Sequence, residues 1–411
     1  MVEALSPPRP RSRFLDRTTP PHIATLIILA SVSALAMNIF VPSLPRMAQY
    51  FDTDYSVIQL SVALYLAGNA VLQILLGPIS DRYGRRPVIL AALVIFVLAT
   101  LGCILAPTVE VFLSFRVLQS VVIACLALSR AAVRDMVPAE QAASMIGYVT
   151  MGMSVAPMVA PAIGGVLEGL AGWRATFALL AVLGCGALWL TWRDMGETAQ
   201  PRDISLRDQI GEYPELLRSP RFWGYCAVSA LSSGAFFAYV GGAPFVGATI
   251  FHLTPTALGI LFGAPAVGYM LGNFLSGQFS MRLGINTMVL SGTLCTALGT
   301  TVSLAITLAG ADSPLSFFGL MTLVGLGNGL VLPNATSGML SVRPHLAGTA
   351  SGLGGAFMIG GGAILSAYAG TLLNPSSGAA PLLWIMAITS VLAIVAIVLT
   401  IRREARLHGR A

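Results

Sequence analysis

The chain contains 411 residues, of which 56% are apolar and only 10% are charged, and its mean hydropathy is +0.81. An ordinary soluble domain carries roughly 25% charged residues, so this composition excludes a water-soluble globular protein and indicates an integral membrane protein. The formal net charge is +6, and all 23 basic residues are arginine. They occur in short clusters between apolar runs, which excludes a basic face for nucleic acid and favours membrane topology as their explanation.

Apolar runs long enough to cross a bilayer, about 20 residues each, recur twelve times between Pro, Gly and charged residues. The predicted spans are 23–44, 56–78, 88–106, 111–133, 142–167, 173–193, 222–246, 256–280, 287–309, 314–338, 347–371 and 380–401. The runs are continuously apolar rather than alternating, which excludes a membrane β-barrel. We predict an all-α integral membrane protein with twelve transmembrane helices in two six-helix repeats.

Polar segments divide the chain further. Residues 1–22 are rich in Arg and Pro, and the long apolar run that follows lacks a small-residue cleavage site, so we predict a disordered cytoplasmic lead and a retained first helix. The only long polar stretch, 194–221, is predicted to be a cytoplasmic linker between two six-helix bundles, 23–193 and 222–401, with 402–411 as a cytoplasmic tail.

The arginines also predict orientation, because short cytoplasmic loops collect positive charge. With both termini cytoplasmic, only Arg46 and Arg174 lie on the outer side, and Arg116 lies within a span. The other 20 of the 23 arginines are then cytoplasmic. This distribution predicts a multi-pass membrane protein with both termini on the cytoplasmic side.

Nothing in the chain indicates an enzyme. The five cysteines are single and scattered, without a C-x-x-C pair, which excludes a disulfide framework and a zinc site. The four histidines are single, and there is no G-x-x-x-x-G-K-[ST] motif, so an ATP-driven pump is also excluded. We expect no cofactor and no metal.

The second and eighth spans form an internal repeat with an offset of 200 residues. The matched pairs are Gly68 with Gly268, Gly77 with Gly277, Arg82 with Arg282 and Gly84 with Gly284. Repeats related about the membrane normal place a substrate cavity at their interface near mid-membrane, where rocking exposes it to each side in turn. This architecture predicts solute translocation.

A charged motif follows the second span. Its main positions are Gly77, Asp81, Arg82, Gly84, Arg85 and Arg86. We expect Gly77 to allow close helix approach, Gly84 to permit a tight turn, and Asp81 to pair with an Arg or a helix N-terminus at an inner gate. The motif resembles the loop signature of the major facilitator superfamily, although Met281 replaces the acid in the second copy.

The fourth span, with Arg116 and Gln119 followed by Arg130 to Asp135, resembles the drug exporters of that superfamily. A guanidinium inside hydrocarbon costs roughly 2.5–3.5 kcal/mol on insertion scales, so we expect Arg116 to face the bundle interior. The alternative is that Arg116 snorkels to the nearby outer end of its helix.

The fifth span carries a motif similar to one that is typical of exporters in the superfamily. Its positions are Ala156, Ala160, Pro161, Gly164 and Gly165. Small residues one turn apart allow tight helix contact, although a generic kinked span would also fit. Together with Val41-Pro42-Ser43-Leu44-Pro45, the motif resembles the Bcr/CflA-type branch, named for bicyclomycin and chloramphenicol resistance.

One position departs from that branch, which places a proton-binding Asp where this chain has Asn38. An amide cannot ionise, so coupling is an open question, and no Asp or Glu lies clearly inside a span. Either Asp81 or Asp135 takes the proton at the inner gate, or Arg116 attracts an anionic or polar substrate. Asn38 and Arg116 have similar depths, and we expect them to face each other.

Polar and aromatic side chains within spans are candidates to line the cavity. They are Asn38, Tyr65, Asn69, Gln73, Arg116, Gln119, Met153, Phe237, Tyr239, Tyr269, Asn273 and Asn328. Bonds to neighbouring helices or core packing are the alternatives. Asn328 and Asn334 flank Gly329 and Pro333, where we expect a broken helix that exposes carbonyl groups.

The resemblance implies a monomeric exporter of small amphipathic drugs that works by alternating access, with the proton gradient as its energy source. The expected partners are a small-molecule drug or metabolite and the lipid bilayer, and no nucleic acid. A uniporter or exporter of an endogenous metabolite is the first alternative, and a membrane sensor is the second.

Overall fold

The computed structural model describes residues 12–137, 159–199, 216–343 and 347–408, together with Met145, Val149 and Pro214. The regular structure in these ranges is helical throughout. Eleven of the described helices are long and apolar enough to cross a membrane, and a further apolar helix is described over Val159–Ala171. The predicted all-α fold is therefore confirmed. Met153 and Ala156 lie outside the described residues.

Within the described ranges, twelve helical segments follow one another. They are α1 (Ile23–Asn38, a 3-10 turn at Val41–Ser43, then Leu44–Tyr50), α2 (Tyr55–Tyr83), α3 (Arg85–Leu105), α4 (Val109–Gln119, a 3-10 turn at Ser120–Val122, then Ile123–Met136), α5 (Val159–Ala171), α6 (Trp173–Asp194), α7 (Pro220–Phe245, ending in a π-helical turn at Val246–Ile250), α8 (Pro255–Phe262 and Ala264–Leu283), α9 (Ile285–Leu308), α10 (Pro314–Val342), α11 (Ala347–Leu372) and α12 (Ala380–His408).

Two glycine turns repeat 200 residues apart. Gly84 joins α2 to α3 with φ +91° and ψ 155°, and Gly284 joins α8 to α9 with φ +81° and ψ 157°. Such dihedrals are essentially restricted to glycine. The end of the bundle that contains these two turns is called the arginine-rich end below, and the end where α1 meets α2 is called the arginine-poor end.

The two halves of the chain meet at the arginine-poor end. Tyr55 of α2 donates a hydrogen bond of 2.6 Å to the carbonyl oxygen of Gly241 in α7. The Gln59 amide, one turn along α2, donates to the carbonyl oxygen of Ser366 in α11. The 3-10 turn Val41–Ser43 of α1 is buried and packs against α7 and α8. These contacts close this end of the bundle between the halves.

The lead before α1 is folded rather than disordered over the residues that are described. The buried carboxylate of Asp194, at the end of α6, accepts hydrogen bonds from Leu15 N at 2.6 Å, His22 N at 2.9 Å and Thr25 Oγ1 at 2.6 Å. The expectation of disorder fails from residue 12 onward because a carboxylate distant in sequence binds two backbone amides of this segment and so fixes its course.

The expected break in α10 is absent, because the helix is continuous over Pro314–Val342. Asn328 donates from Nδ2 to Val324 O at 3.0 Å. Asn334 donates to Leu330 O and to Ser276 Oγ of α8, both at 2.8 Å. Pro333 removes the backbone donor to the carbonyl oxygen of Gly329, yet the helix continues past the proline.

Candidate functional site

Arg116 is fully buried in α4, at 0% exposure. Its guanidinium carbon lies 4.2 Å from the centroid of the Phe40 ring and 4.4 Å from that of Tyr65. Nη1 donates to Gln119 Oε1 and, at 3.4 Å, to Ala36 O, whereas Nε and Nη2 have no hydrogen-bond partner. The structure therefore places this cation inside the bundle, between aromatic rings of α1 and α2, and it does not snorkel.

No carboxylate pairs with Arg116 within the described residues. The stretch 138–158, most of which is undescribed, contains one acid in its sequence, Glu140, near its beginning. The guanidinium therefore keeps two donor groups and an uncompensated charge in a low-dielectric setting, an arrangement that is rare in membrane helices unless it has a function. An anionic or polar group of a solute could satisfy both donors.

Asn38 and Arg116 are not hydrogen-bonded to each other. Its Nδ2 donates to Ala34 O at 2.9 Å, in its own helix. Arg116 instead contacts α1 through Ala36 O and the Phe40 ring, on either side of Asn38. The helix ends at Asn38, where the side-chain amide donates to a carbonyl group one turn back in the same helix.

Polar atoms of α2 and α4 surround this cation. Gln119 Nε2 donates to Thr100 Oγ1 of α3 at 2.7 Å. Gln119 therefore accepts a hydrogen bond from Arg116 through Oε1 while its own side chain is fixed by α3. The buried Tyr65 hydroxyl and Asn69 Oδ1 have no hydrogen-bond partner. The sequence predicted both as cavity-lining residues, and the structure gives each an unused polar atom, on the Tyr65 side chain beside the cation and on Asn69 one helical turn away.

Gln73, the third polar candidate of α2 after Tyr65 and Asn69, contacts another helix. A Cβ built on Gly355 of α11 would lie 2.4 Å from Gln73 Oε1, so Gln73 packs against the other half of the chain. On α8, Asn273 Nδ2 donates to the backbone oxygen of Tyr269 at 2.8 Å. Of the three α2 candidates, Gln73 therefore contributes to helix packing and Tyr65 to the surroundings of Arg116.

The aromatic candidates of α7 pack against other helices. Tyr239 stacks on Phe262 with centroids 4.9 Å apart, and its hydroxyl donates to Phe262 O at 3.2 Å. Phe237 fills the space beside Gly362 of α11, where a Cβ would lie 2.0 Å from the ring. Both side chains are buried. In this structure they belong to the core rather than to an open pocket.

The charged motif forms an ion cluster at the arginine-rich end. Arg85 lies 2.6 Å from Asp81 Oδ1 and 3.1 Å from Asp135 Oδ2, and it also donates to Ser80 Oγ. The structure thus brings together Asp81 and Asp135, the two acids proposed for proton uptake, on one guanidinium. Arg82 of the same motif is exposed, and its guanidinium lies over the Tyr83 ring at 5.5 Å.

The sequence missed one residue of this cluster. Among the described residues, nothing lies within 4 Å of a Cβ built on Gly77, and the close helix approach expected there stays a prediction. Glu197, three residues after α6, accepts from Arg85 N at 2.8 Å and from Arg86 N at 3.2 Å. It therefore caps α3, and no local sequence pattern links it to that helix.

The exporter motif mediates close contacts at the arginine-poor end. A Cβ on Gly164 would lie 1.7 Å from Ile39 O of α1, and one on Gly165 would lie 2.3 Å from Pro255 O of α8. A Cβ on Gly259 would lie 2.3 Å from Pro161 O. Ala160 is fully buried in the same helix. The glycines therefore let α5 touch α1 on one face and α8 on the other.

The sequence profile of the Major Facilitator Superfamily matches residues 26–363 and 243–411. The chain belongs to the Major Facilitator Superfamily. It is 32% identical over 359 residues to a chloramphenicol resistance protein of Pseudomonas aeruginosa, across 85% of this chain and 83% of that protein. It is 27% identical over 392 residues to a bicyclomycin resistance protein homolog of Haemophilus influenzae, across 94% and 98%.

Within the Major Facilitator Superfamily, the chain is therefore a drug-efflux transporter of the Bcr/CflA type. As such a transporter it is a multi-pass membrane protein with a small-molecule substrate. A solved structure of a bacterial homologue of the human lysosomal transporter Spinster, in an inward-facing and occupied conformation, shares the fold. The TM-score is 0.72 at 18% identity, over 92% of this chain and 96% of that one.

Proposed function

We propose that this transporter exports small amphipathic drugs of the chloramphenicol or bicyclomycin type across the bacterial inner membrane, in exchange for protons and as a monomer. The observation that carries the proposal is Arg116, buried among aromatic rings with two unused donors. The names of the two resistance proteins support the drug class. Amphipathic drugs offer apolar surface for Phe40 and Tyr65 and polar groups for the guanidinium.

The arginine-rich end is proposed to face the cytoplasm, with both chain termini on that side, because short cytoplasmic loops collect arginine. The contacts of Tyr55 and Gln59 with α7 and α11 then close the outer side. This arrangement corresponds to an inward-facing state, the conformation named for the Spinster homologue. A drug would enter from the cytoplasm and leave when these contacts break.

Transport then depends on differential binding of the drug in the two states. In the inward-facing state, Nε and Nη2 of Arg116 have no protein partner, so a polar group of the drug satisfies them at little cost. When the halves rock, the Phe40 ring on α1 and the Tyr65 ring on α2 move with the cation, since all three belong to the first half. The site thus remains intact while its access changes sides.

Uptake of labelled chloramphenicol into inside-out vesicles tests the proposal, measured with and without an imposed pH gradient. We expect uptake that is faster with the gradient and absent for Arg116→Ala. A rate indifferent to the gradient would contradict exchange for protons and leave export intact. No uptake by the native chain would contradict export of this drug class.

A second candidate function is the export of an endogenous anionic metabolite without coupling through α1. The observation that favours it is that no acid pairs with Arg116 in the described residues. The same vesicles distinguish the two functions. A metabolite exporter would take up an anionic probe such as labelled benzoate faster than neutral chloramphenicol, and it would do so without a pH gradient.

A further inference from the structure

Among the described residues, three charged side chains are buried: Arg116, Asp194 and Glu168. Asp194 receives three hydrogen bonds and is satisfied. Glu168, in α5, is 5% exposed, and its Oε2 has no hydrogen-bond partner. Its place near the end of a predicted span made it resemble a loop residue in the sequence, whereas the structure buries it.

Helix geometry directs Glu168 towards α1. It lies one turn after Gly164, the glycine that touches Ile39 O. On α1, Ser43 lies one turn after Ile39, and its hydroxyl is a neighbour of the Glu168 carboxylate. The Ser43 hydroxyl is buried and also has no hydrogen-bond partner. The carboxyl group therefore lies between α5 and the 3-10 turn of α1.

Few charges compensate this carboxylate. Arg46 of α1 acts on it electrostatically, but that side chain is exposed and forms no ion pair with it. The facing segment of α8, Pro255–Phe262, has no titratable side chain, and His252 before it is exposed. Arg174 of α6 bonds Ile104 O and the Tyr50 hydroxyl instead.

The closed contact between the halves is what buries this group. The turn Val41–Ser43 is covered by α7 and α8, which belong to the other half. A Cβ on Gly165, three residues before Glu168, would lie 3.2 Å from Gly259 Cα of α8. Separation of the halves at this end would admit water to the turn and to the carboxyl group beside it.

We propose that Glu168 binds a proton when the arginine-poor end closes and releases it when that end opens. An ionised carboxylate that has only the Ser43 hydroxyl beside it is costly in a low-dielectric interior, and the neutral acid is not. In the open state, water and Arg46 stabilise the anion. The proton comes from the water on the arginine-poor side and attaches to a Glu168 carboxylate oxygen without further bond changes.

This inference rests on the proposed alternating-access function, in which the arginine-poor end is the outer gate. Proton binding at Glu168 then links closure after drug release to the acidity of the outer water. It supplies a titratable group at the gate of a chain that has Asn38 where its branch has an acid. Closure becomes more favourable as the outer pH falls.

The distance between the halves tests the proposal in the full chain, reconstituted in lipid nanodiscs. Spin labels are placed on cysteines introduced at the exposed positions Gln49 and Ser376, with Cys185 and Cys295 replaced by alanine. One proton shifts an equilibrium by at most about tenfold per pH unit. From about pH 8 to about pH 5 we expect the ratio of closed to open populations to rise about tenfold or more.

Variants assign that shift to one group. Glu168→Gln mimics the neutral acid, so it should remain closed at both pH values. Glu168→Asp retains a carboxyl group and should keep a pH-dependent ratio, which a merely structural role would not require. Glu110→Gln, which changes an exposed acid at the same end, should behave like the native chain. A native-sized shift in Glu168→Gln would overturn the proposal.

Chloramphenicol uptake by the same proteins, reconstituted in vesicles, separates this proposal from the proposed function. If the native chain takes up the drug but the spin-label distance between its halves does not depend on pH, the role of Glu168 is overturned and drug export stands. A pH-dependent distribution in a chain that takes up no drug supports the role of Glu168 and contradicts export of this drug class.

Discussion

The guanidinium carbon of Arg116 lies 4.4 Å from the centroid of the Tyr65 ring, so an aromatic side chain of α2 covers the buried cation of α4. On the opposite side the Phe40 ring lies 4.2 Å away. Two rings and two hydrogen bonds replace the carboxylate that usually accompanies a buried arginine. The cation is therefore held in place but remains electrically uncompensated, and several consequences can be measured.

Replacement of this cation should separate function from stability. In Arg116→Met, export of chloramphenicol should fall about tenfold or more, because the donors that would hold the drug are gone. The unfolding free energy should change by no more than about 1 kcal/mol, since the loss of the Gln119 hydrogen bond is offset by removal of an unpaired buried charge. Vesicle uptake and thermal unfolding in detergent measure the two effects.

Arg174→Met is the matched control, because Arg174 also lies over aromatic rings, at 4.5 Å from Tyr50 and 4.6 Å from Trp173. This arginine is at the arginine-poor end and bonds Tyr50 and a backbone oxygen. Export by Arg174→Met should stay within about twofold of native, a difference worth only about 0.4 kcal/mol. Equal losses in the two variants would mean that stacked arginines act through folding rather than through drug binding.

A carboxyl group in place of the Asn38 amide should introduce gradient dependence at α1. In Asn38→Asp, the protonated acid can donate to Ala34 O as the native amide does at 2.9 Å, whereas the ionised acid cannot and would turn towards the adjacent Arg116. We therefore expect Asn38→Asp to confer stronger chloramphenicol resistance than the native chain in an exporter-depleted host. The added resistance should disappear when the pH gradient is dissipated. Unchanged resistance would mean that α1 takes no part in coupling.

The sequence predicted that Arg116 is buried in the bundle, but it did not predict which hydrogen bond Asn38 forms, for physical reasons. The cost of a charge in hydrocarbon requires that Arg116 faces the bundle interior, whatever surrounds it. A short amide such as Asn38 has a competing acceptor in its own helix, and the sequence does not reveal which acceptor it uses. Depth along a helix can be counted, but side-chain direction at a helix end cannot.

The two buried acids show the same limit. Asp194 and Glu168 both lie near predicted span ends, where solvated side chains are the usual outcome. One is buried by a lead segment that lies 169–179 residues away in sequence, and the other by a turn of α1. Spans follow from local composition, so the helices were predictable. Burial at span ends depends on contacts distant in sequence, which one sequence does not encode locally.

The glycines of α5 should control closure of the arginine-poor end. Gly165→Ala places a Cβ 2.3 Å from the backbone oxygen of Pro255, which cannot move as a side chain can. Gly169→Ala is the matched control, because its Cβ meets only Thr256 Oγ1 at 3.4 Å. We expect Gly165→Ala to stay open at this end and to lose export. Gly169→Ala should still close at this end and should still export the drug. Spin-label distances across the end and vesicle uptake measure this difference.

The two repeated glycine turns allow the contribution of the α3 cap to the free energy of unfolding to be separated from the cost of backbone strain. In Gly284→Ala the new Cβ meets no described residue within 4 Å, so its cost is the forbidden backbone conformation, about 1–3 kcal/mol. Gly84→Ala has the same backbone cost, and its Cβ would lie 2.3 Å from Glu197 Oε2. Displacing that carboxylate breaks the cap on Arg85 N, which adds about 1 kcal/mol. Thermal unfolding in detergent should therefore show the larger loss for Gly84→Ala.

In the Glu197→Ala background the cap is already lost and the clash is removed. The two glycine substitutions should then lower the unfolding free energy equally, and the difference between them should vanish. If Gly84→Ala remains more damaging in that background, its extra cost comes from the ion cluster around Arg85 and not from Glu197. If the two substitutions are equal in the native background, the cap on α3 contributes nothing measurable to stability.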